Sequence, residues 1–314
     1  MRRFLEWSAF RGAALLAGAI FLGLFVPPLA AAARGAITPV VFLLMVLVLL
    51  RVDPAQVLAY LRRPVLVAAL LAWLLVLSPL ILWAFLGALG VTHPFAAGLV
   101  IVATGCAATS SPAFARLVGL DGEIAFVVAM LSTLLLPFTA PPLALGLLGI
   151  DLAISIPGLM LRLALLVGLP LLISMVLRRW MGPAMLNRWG RAVDGAVVLL
   201  VVLYGFGVMD GVLAQLLAAP ALVLTGILVA FAGALAMNAM TALAFAGFGR
   251  RVALSAGLMA GNRNMALYLA VIPATADPHI ILTFVLFQFP LFLSPFLLKP
   301  VYGRIRPPTE RIRD

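Results

Sequence analysis

The chain alternates long apolar runs with short connections that hold most of its charged residues. Repeated runs of about 17 residues or more are long enough to cross a hydrocarbon core of roughly 30 Å as helices. Their hydrophobicity is continuous and lacks the alternation of a lipid-facing barrel strand. The pattern predicts ten transmembrane helices, near residues 12–32, 35–50, 64–89, 94–117, 122–147, 155–177, 191–213, 219–246, 252–272 and 279–299.

The composition agrees with an all-α polytopic membrane protein. Of the 314 residues, 65% are hydrophobic and 10% are charged, and the mean hydropathy is +1.24. The formal net charge is +11, but the basic residues lie mostly between apolar runs and form no single soluble face. The lipid bilayer is therefore the expected partner, and nucleic acid is not.

The distribution of basic residues predicts the orientation of the chain. With a cytoplasmic amino terminus, the opposite side keeps only Arg34. The remaining basic connections then face the cytoplasm: Arg2, Arg3, Arg11, Arg51, Arg62, Arg63, Arg116, Arg178, Arg179, Arg188, Arg191, Arg250, Arg251 and the tail from Lys299 to Arg313. We expect both termini in the cytoplasm and the protein in a bacterial inner membrane. The first apolar run has no clear cleavage pattern and is interpreted as a helix rather than a signal peptide.

Ten helices divide into two sets of five, residues 1–150 and 151–314, and an odd number per set inverts the second repeat. The segment LLLPFTAPPL (134–143) resembles LFQFPLFLSPFL (286–297), and their first prolines, Pro137 and Pro290, are 153 residues apart. The same offset places ATSSPA (108–113) over GNRNMA (261–266). The two most polar membrane clusters therefore coincide in the predicted repeats.

The first cluster combines hydroxyl side chains with a proline. We predict that Thr109, Ser110, Ser111 and Pro112 bind substrate, because Pro112 favours a break or kink beside the hydroxyls. Backbone N–H and C=O groups that lose their helical partners at such a break are tolerated at membrane depth only beside protein or a water-filled cavity. The alternative is a kinked helix with a packing role only, in which the hydroxyls donate to carbonyls of the same helix.

The second cluster places a cation near the middle of an apolar run. A charged side chain there costs roughly 2.5–3.5 kcal/mol on insertion scales, so Arg263 must contact something polar. One possibility is an ion pair with Asp210, Asp194, Asp121 or Glu123. The other is a cavity in which the guanidinium holds a carboxylate, with Asn262 and Asn264 beside it.

Other intramembrane polar residues are weaker candidates for the same cavity. Asn238 and Gln288 are predicted to contact substrate, while Ser132 and Thr133 are candidate ligands of an ion. Arg162 is expected to snorkel or to contact a helix end rather than to bind substrate. The chain has one cysteine, Cys106, and its histidines have no metal-ligand spacing, so no metal centre is predicted. It also has no nucleophile, base or phosphate-cradling loop in a catalytic pattern, which makes an enzyme improbable.

Two regions resemble the bile acid:sodium symporter family. They are TGCAATSSPAFARLVGLDGEIAFVVAMLSTLLLPFTAPPL (104–143) and GLMAGNRNMALYLAV (257–271). The resemblance implies a panel domain and a core domain, with broken fourth and ninth helices crossing in the core. It also implies an organic-anion substrate beside that crossing, carried by alternating access.

The resemblance implies sodium sites that this chain only partly retains. Family ligands fall here on Pro112, Met259, Arg263, Ala125 and Ala129, so most of the expected oxygen ligands are absent. Ser111, Ser132, Thr133 and Asn264 stay as candidate ion ligands. We hypothesise that Arg263 replaces bound sodium as a permanent charge. Coupling to Na⁺ is then expected to be weak, with proton coupling or facilitative transport as the alternatives, and no other cofactor is implied.

A secondary transporter of an organic anion, functioning as a monomer, is therefore the favoured interpretation. The anion is a small carboxylate or an amphipathic molecule resembling a bile acid. A sodium-coupled symporter with rearranged ion sites, a channel or sensor on the same fold, and a membrane-embedded lipid enzyme are the alternatives. A channel needs polar residues along a continuous pore, whereas those of this chain cluster at the midplane.

Overall fold

The computed structural model describes residues 2–52, 63–91, 93, 95–147, 149–273 and 275–305. The predicted cytoplasmic Arg62 and the basic tail beyond Ile305 lie outside the described residues. Within these ranges the regular elements are helices, and an isolated antiparallel bridge joins Ala107 to Arg263.

The helices follow one another closely along the chain. They are α1 (Arg2–Phe10), α2 (Gly12–Phe25), α3 (Pro27–Arg34), α4 (Ile37–Leu50), α5 (Pro64–Ala88), α6 (Phe95–Thr104), α7 (Ser111–Leu117), α8 (Gly122–Pro141), α9 (Ile156–Val208), α10 (Val212–Ala218), α11 (Pro220–Ala244), α12 (Arg250–Gly261), α13 (Ala266–Val271), α14 (Pro278–Leu286) and α15 (Gln288–Ile305). A π-helical turn, Trp73–Leu77, interrupts α5, and another, Pro142–Leu147, follows α8.

Four helices of the described chain are long and apolar enough to cross a membrane, and up to seven spans result if each bent helix pair counts as one. The bent pairs are α1 with α2, α3 with α4, and the two parts of the segment 278–304. The prediction of ten spans, the division into repeats at residues 1–150 and 151–314, and their inverted relation stay predictions.

Several predicted helix boundaries differ from the structure, and two of the differences have a clear local cause. The first predicted helix is divided, because α2 ends at Phe25 and Pro27 begins α3, a position where proline's missing N–H costs nothing. The predicted connection between the sixth and seventh helices is itself helical, since α9 continues to Val208 with a kink at Gly182. Gly182 has φ 68° and ψ 165°, a conformation open to glycine, so one residue redirects the chain.

The helices pack as two groups. In the first group, α9 lies along α1, α2, α3 and α4. In the second group, α7 packs on α8, α11 packs on α12, and α6 contacts α5, α11 and α14. The two polar clusters belong to the second group.

Candidate functional site

Two non-helical segments meet inside the second helix group. Helix α6 ends at Thr104 and α7 begins at Ser111, while α12 ends at Gly261 and α13 begins at Ala266. The Ala108 N–H donates to the Asn262 carbonyl at 2.8 Å, and the Asn264 N–H donates to the Cys106 carbonyl at 2.9 Å. We call residues 105–110 and 262–265 the crossing. The structure thus brings together the two polar clusters of the sequence.

Arg263 lies at the centre of the crossing and has no solvent exposure. Its Nε donates to the Ala260 carbonyl at 2.9 Å, and Nη1 donates to the carbonyls of Leu74 at 2.9 Å and Gly105 at 2.8 Å. Nη2 donates to the Ser78 hydroxyl at 2.8 Å. The guanidinium is therefore held by oxygen atoms of three separate segments and by no carboxylate of the described chain.

The π-helical turn of α5 explains why the Leu74 carbonyl is free to accept from Arg263. The Ser78 N–H donates to Trp73 in the i+5 pattern, so it is not available to Leu74. The next N–H in that pattern would come from residue 79, which is proline. Leu74 instead accepts from the Ser78 hydroxyl at 3.2 Å and from Arg263. The guanidinium thus binds a carbonyl that receives no backbone N–H from α5.

The other carbonyls bound by Arg263 belong to helix ends. Gly105 follows the last residue of α6, and Ala260 is in the last turn of α12. The carbonyl end of a helix carries partial negative charge and attracts cations. A buried arginine is therefore stabilised here without an ion pair.

Two of the four acids that were candidate partners of Arg263 contact other arginines. Asp210 pairs with Arg34 at 2.8 Å, and Asp194 pairs with Arg51 at 2.9 Å. Arg162 donates to the carbonyl of Val271, the last residue of α13, at 2.8 Å, which confirms the prediction that it contacts a helix end.

The predicted hydroxyl ligands lie next to the crossing. Ser132 accepts from the Ala107 N–H at 3.2 Å and donates to the Ala129 carbonyl at 3.1 Å. Thr133 donates to Ala129 at 2.7 Å and contacts the Cys106 sulfur at 3.4 Å. Ser111 is fully buried, and its hydroxyl has no partner among the described residues.

The amide candidates occupy different surroundings. The Asn264 Oδ1 accepts from the Ala266 N–H at 3.1 Å, and the buried Asn262 Nδ2 has no partner in the described chain. Gln288 donates to the Phe284 carbonyl at 3.1 Å and is also buried. Asn238 donates to the Tyr302 hydroxyl at 2.8 Å, and it lies against Gly257 and Gly261 of α12.

A cavity of about 990 Å³ lies between the two helix groups. Its inner end contains Thr109, Ser110 and Pro112, three of the nine predicted substrate-binding residues. The other six, Ser111, Asn238, Asn262, Arg263, Asn264 and Gln288, are not among its lining residues. The walls are mainly apolar, and the charged side chains are Arg51, Arg116, Arg178 and Asp194. We call this space the large cavity.

A second cavity of about 420 Å³ shares no lining residue with the large cavity. Arg34, Thr38, Asp210 and Gln215 provide its polar wall. Helix α13 contributes Leu269, so this cavity also approaches the segment that follows the crossing. The two cavities thus meet the second helix group at different residues.

Sequence reasoning missed several residues that build this site. Leu74 and Ser78 were not considered, although the segment LSP (77–79) signals a disturbed helix. Gly257 and Gly261 have the GxxxG spacing that lets two helices approach closely. The sequence therefore already contained a signal for close helix packing at this position. Arg116 and Arg178 were interpreted only as orientation signals.

A comparison with known protein families identifies the family of the chain. The model of the Sodium Bile acid symporter family matches residues 38–209, which is more than half of the 314-residue chain. The comparison with curated proteins gives no match. The chain therefore belongs to the sodium bile acid symporter family. Its apolar helices and this membership identify a multi-pass integral membrane protein of a transporter family rather than an enzyme family.

Proposed function

We propose that this member of the sodium bile acid symporter family carries an organic anion across the membrane by alternating access, without a requirement for sodium. The observation that carries the proposal is the environment of Arg263. A permanent cation occupies a buried site formed by three carbonyls and one hydroxyl. Carbonyl and hydroxyl oxygens are ligands that also suit a hard metal cation. Arg263 thus supplies inside the crossing the positive charge that a bound ion would otherwise bring.

The position of Arg263 argues for an electrostatic effect on substrate rather than direct contact. Ala107 and Ala108 are bonded to the segment containing Arg263, and the next residue, Thr109, lines the large cavity. A buried charge acts through a medium of lower effective dielectric than water and is screened less by salt. The fixed charge then attracts an anion to the inner end of the cavity, while Thr109 and Ser110 donate the hydrogen bonds.

The cavity favours an amphipathic anion. Its volume of about 990 Å³ is at the upper end of the range for small-molecule sites. Leu16, Leu50, Phe126, Leu186 and Val197 supply apolar surface. A carboxylate directed at the crossing, with an apolar body along these walls, matches the distribution of polar and apolar groups.

Alternating access follows from the position of the cavity between the two helix groups. In this proposal the first group is the panel domain, the second is the core domain, and the large cavity faces the cytoplasm. The basic residues Arg51, Arg116 and Arg178 on its walls support that orientation. A relative displacement of the groups would close this cavity and expose substrate through the second cavity, near Arg34.

A sodium-coupled symporter with rearranged ion sites is the second candidate. The buried Ser111 hydroxyl has no partner among the described residues, and an oxygen in that condition could ligate an ion. Ser132, Thr133 and Asn264 lie on neighbouring segments, but their oxygens already accept or donate hydrogen bonds. Arg263 would also repel a cation bound nearby. These contacts favour the sodium-independent function.

Uptake by proteoliposomes tests the proposal. Purified protein would be reconstituted, and accumulation of radiolabelled cholate, laurate and pyruvate would be followed with an inward sodium gradient or with choline replacing sodium. We expect saturable uptake of at least one anion at rates that differ less than about twofold between the two conditions, because Arg263 is always charged. A strict sodium requirement would support the second candidate. Ion currents without saturable uptake would support a channel.

A further inference from the structure

We propose that Arg116 and Arg178 form an anion-binding subsite in the large cavity, which takes the carboxylate or sulfonate group of a solute. The inference rests on the proposed function and deepens it, because it assigns direct recognition of the anion to these two arginines and not to Arg263. The supporting observations are the position of each arginine, its lack of partners and the shape of the wall around it.

The two guanidinium groups are available to a ligand. Neither Arg116 nor Arg178 makes a hydrogen bond or an ion pair with any residue in the described part of the chain. Arg51, on the same cavity wall, differs because Asp194 binds its Nε at 2.9 Å and its Nη2 at 3.3 Å. With that pair neutralised, the remaining charges on the described lining residues are those of Arg116 and Arg178.

Arg116 lies on the cavity face of α7. Pro112, Ala113 and Arg116 of α7 line the cavity, and Arg116 follows Pro112 by four residues and Ala113 by three, which places it on the same helical face. Four residues of helix advance about 6 Å, so Arg116 is located one turn farther from the crossing than Pro112. An anion bound at Arg116 could therefore still have its neighbouring polar atoms within reach of Thr109 and Ser110.

A glycine makes room for the Arg116 side chain. A Cβ atom added at Gly122 would lie 2.6 Å from Arg116 Cγ and 2.7 Å from its Nε. The arginine stem therefore rests directly against the backbone at the start of α8. This contact restricts the direction of the Arg116 side chain along the cavity wall. An arginine that extends freely into solvent has no such restriction.

Arg178 belongs to the opposite helix group. It is on α9, just before the kink at Gly182, and the residues after the kink, Pro183, Leu186 and Asn187, line the same cavity. An anion between Arg116 and Arg178 would join the two groups through one ligand. When no anion is bound, two like charges on separate walls oppose closure of the cavity, and a bound anion removes that opposition. The subsite thus favours closure of the cavity when an anion is bound over closure when it is empty.

The chemistry of the pair favours carboxylates and sulfonates. Guanidinium groups stay charged and present planar N–H pairs that match these anions bidentately. The apolar residues around them disfavour a fully hydrated inorganic ion and accept a hydrocarbon body. The expected ligand is an organic anion whose charged group lies between the arginines.

The local charge can be measured without knowing the physiological substrate. Cys106 is buried and is the only cysteine of the chain, and Ala113 is exposed in the cavity one helical turn from Arg116. An Ala113→Cys variant in a Cys106→Ala background would be reconstituted in phosphatidylcholine nanodiscs. The introduced thiol would then be labelled with a sulfonate methanethiosulfonate reagent and with its trimethylammonium analogue.

We expect the ratio of the anionic to the cationic labelling rate to fall about tenfold when Arg116→Gln and Arg178→Gln are combined. The matched control combines Arg179→Gln and Arg191→Gln, which removes the same charge from exposed residues that do not line the cavity. The control should change the ratio less than twofold. Cholate should slow labelling in the parent protein and not in the variant without both cavity arginines.

An unchanged ratio in the cavity variant would overturn the proposal, as would an equal fall in the control. If the double variant does not fold, Arg178→Gln alone and the charge-retaining Arg116→Lys with Arg178→Lys are measured instead. The first should lower the ratio and the second should preserve it, and any other result contradicts the subsite. Because labelling does not require transport, absence of uptake with the expected labelling ratios would refute the proposed function and leave the subsite standing.

Discussion

Replacement of Arg263 with alanine is expected to lower the apparent melting temperature by about 5–10 °C, equivalent to roughly 3 kcal/mol or more. The variant would leave the carbonyls of Leu74, Gly105 and Ala260 without the donor that now binds them. An unsatisfied buried polar group costs about 1–3 kcal/mol, and the space left by the side chain adds a further loss. Arg263 therefore stabilises the crossing and also supplies its positive charge.

Unfolding can be followed through Cys106, the only cysteine, which is buried within the crossing. A thiol-reactive fluorophore would report its exposure during heating of the detergent-solubilised protein. We expect guanidinium at about 10–20 mM, well below denaturing concentrations, to restore part of the stability of Arg263→Ala by donating to the carbonyls that Arg263 binds in the unmodified protein. Urea at the same concentration should have a smaller effect, and neither compound should stabilise the unmodified protein.

Two further substitutions separate charge from geometry at this position. Arg263→Lys keeps the charge but loses the planar fork, so we expect intermediate stability and reduced uptake. Arg263→Gln loses both and should resemble alanine in uptake. If alanine leaves the melting temperature and uptake unchanged, Arg263 supports neither the crossing nor transport. If guanidinium gives no rescue, the vacated carbonyls are satisfied by some other group.

Combining Gly257→Ala and Gly261→Ala is expected to lower uptake by more than about tenfold and to reduce stability by about 2 kcal/mol. A Cβ atom at Gly257 would lie 2.6 Å from the Asn238 carbonyl, and one at Gly261 would lie 2.7 Å from the Ala234 carbonyl. Those contacts are with the backbone of α11, which cannot rotate away. Helix α12 would have to shift, and it carries Asn262 and Arg263 into the crossing.

Gly168→Ala is the matched control for this pair. Gly168 is also within a helix, but an added Cβ atom there would contact nothing within 4 Å. Alanine is the better helix former by about 1 kcal/mol, so the control should be neutral or slightly stabilising. Melting temperature and uptake would be measured for both proteins. If the double variant is as stable and active as the control, the close approach of α11 and α12 does not position the site.

The membrane character of the chain followed from hydrophobic patterning, because long apolar runs have few alternatives to a lipid environment. The match of ATSSPA with GNRNMA at a fixed offset aligned the two polar clusters, and the family resemblance implied that their helices cross. The structure pairs these segments through Ala108 with Asn262 and Cys106 with Asn264. The course of α9 was less predictable, because the helix changes direction at Gly182 without a polar loop that would show in the sequence.

The environment of Arg263 could not be deduced in the same way. A guanidinium in an apolar run requires polar partners. Carboxylate side chains can be recognised as possible partners directly from the sequence. Here most partners are main-chain carbonyls, which every residue possesses and which become available only where a helix ends or changes register. Leu74 is such a case, since the π-helical turn and Pro79 free its carbonyl 189 positions from Arg263.

The sequence by itself determined that the chain belongs in a membrane, that it is helical, and that its rare intramembrane polar residues form two clusters. These properties depend on the cost of placing each residue type in hydrocarbon, which is local and additive along a run. The tertiary structure decided that the Arg263 charge is directed to carbonyls inside the crossing, while Arg116 and Arg178 face the large cavity. That division depends on which oxygens and which open space each guanidinium meets, and distant segments supply both only when the chain is folded.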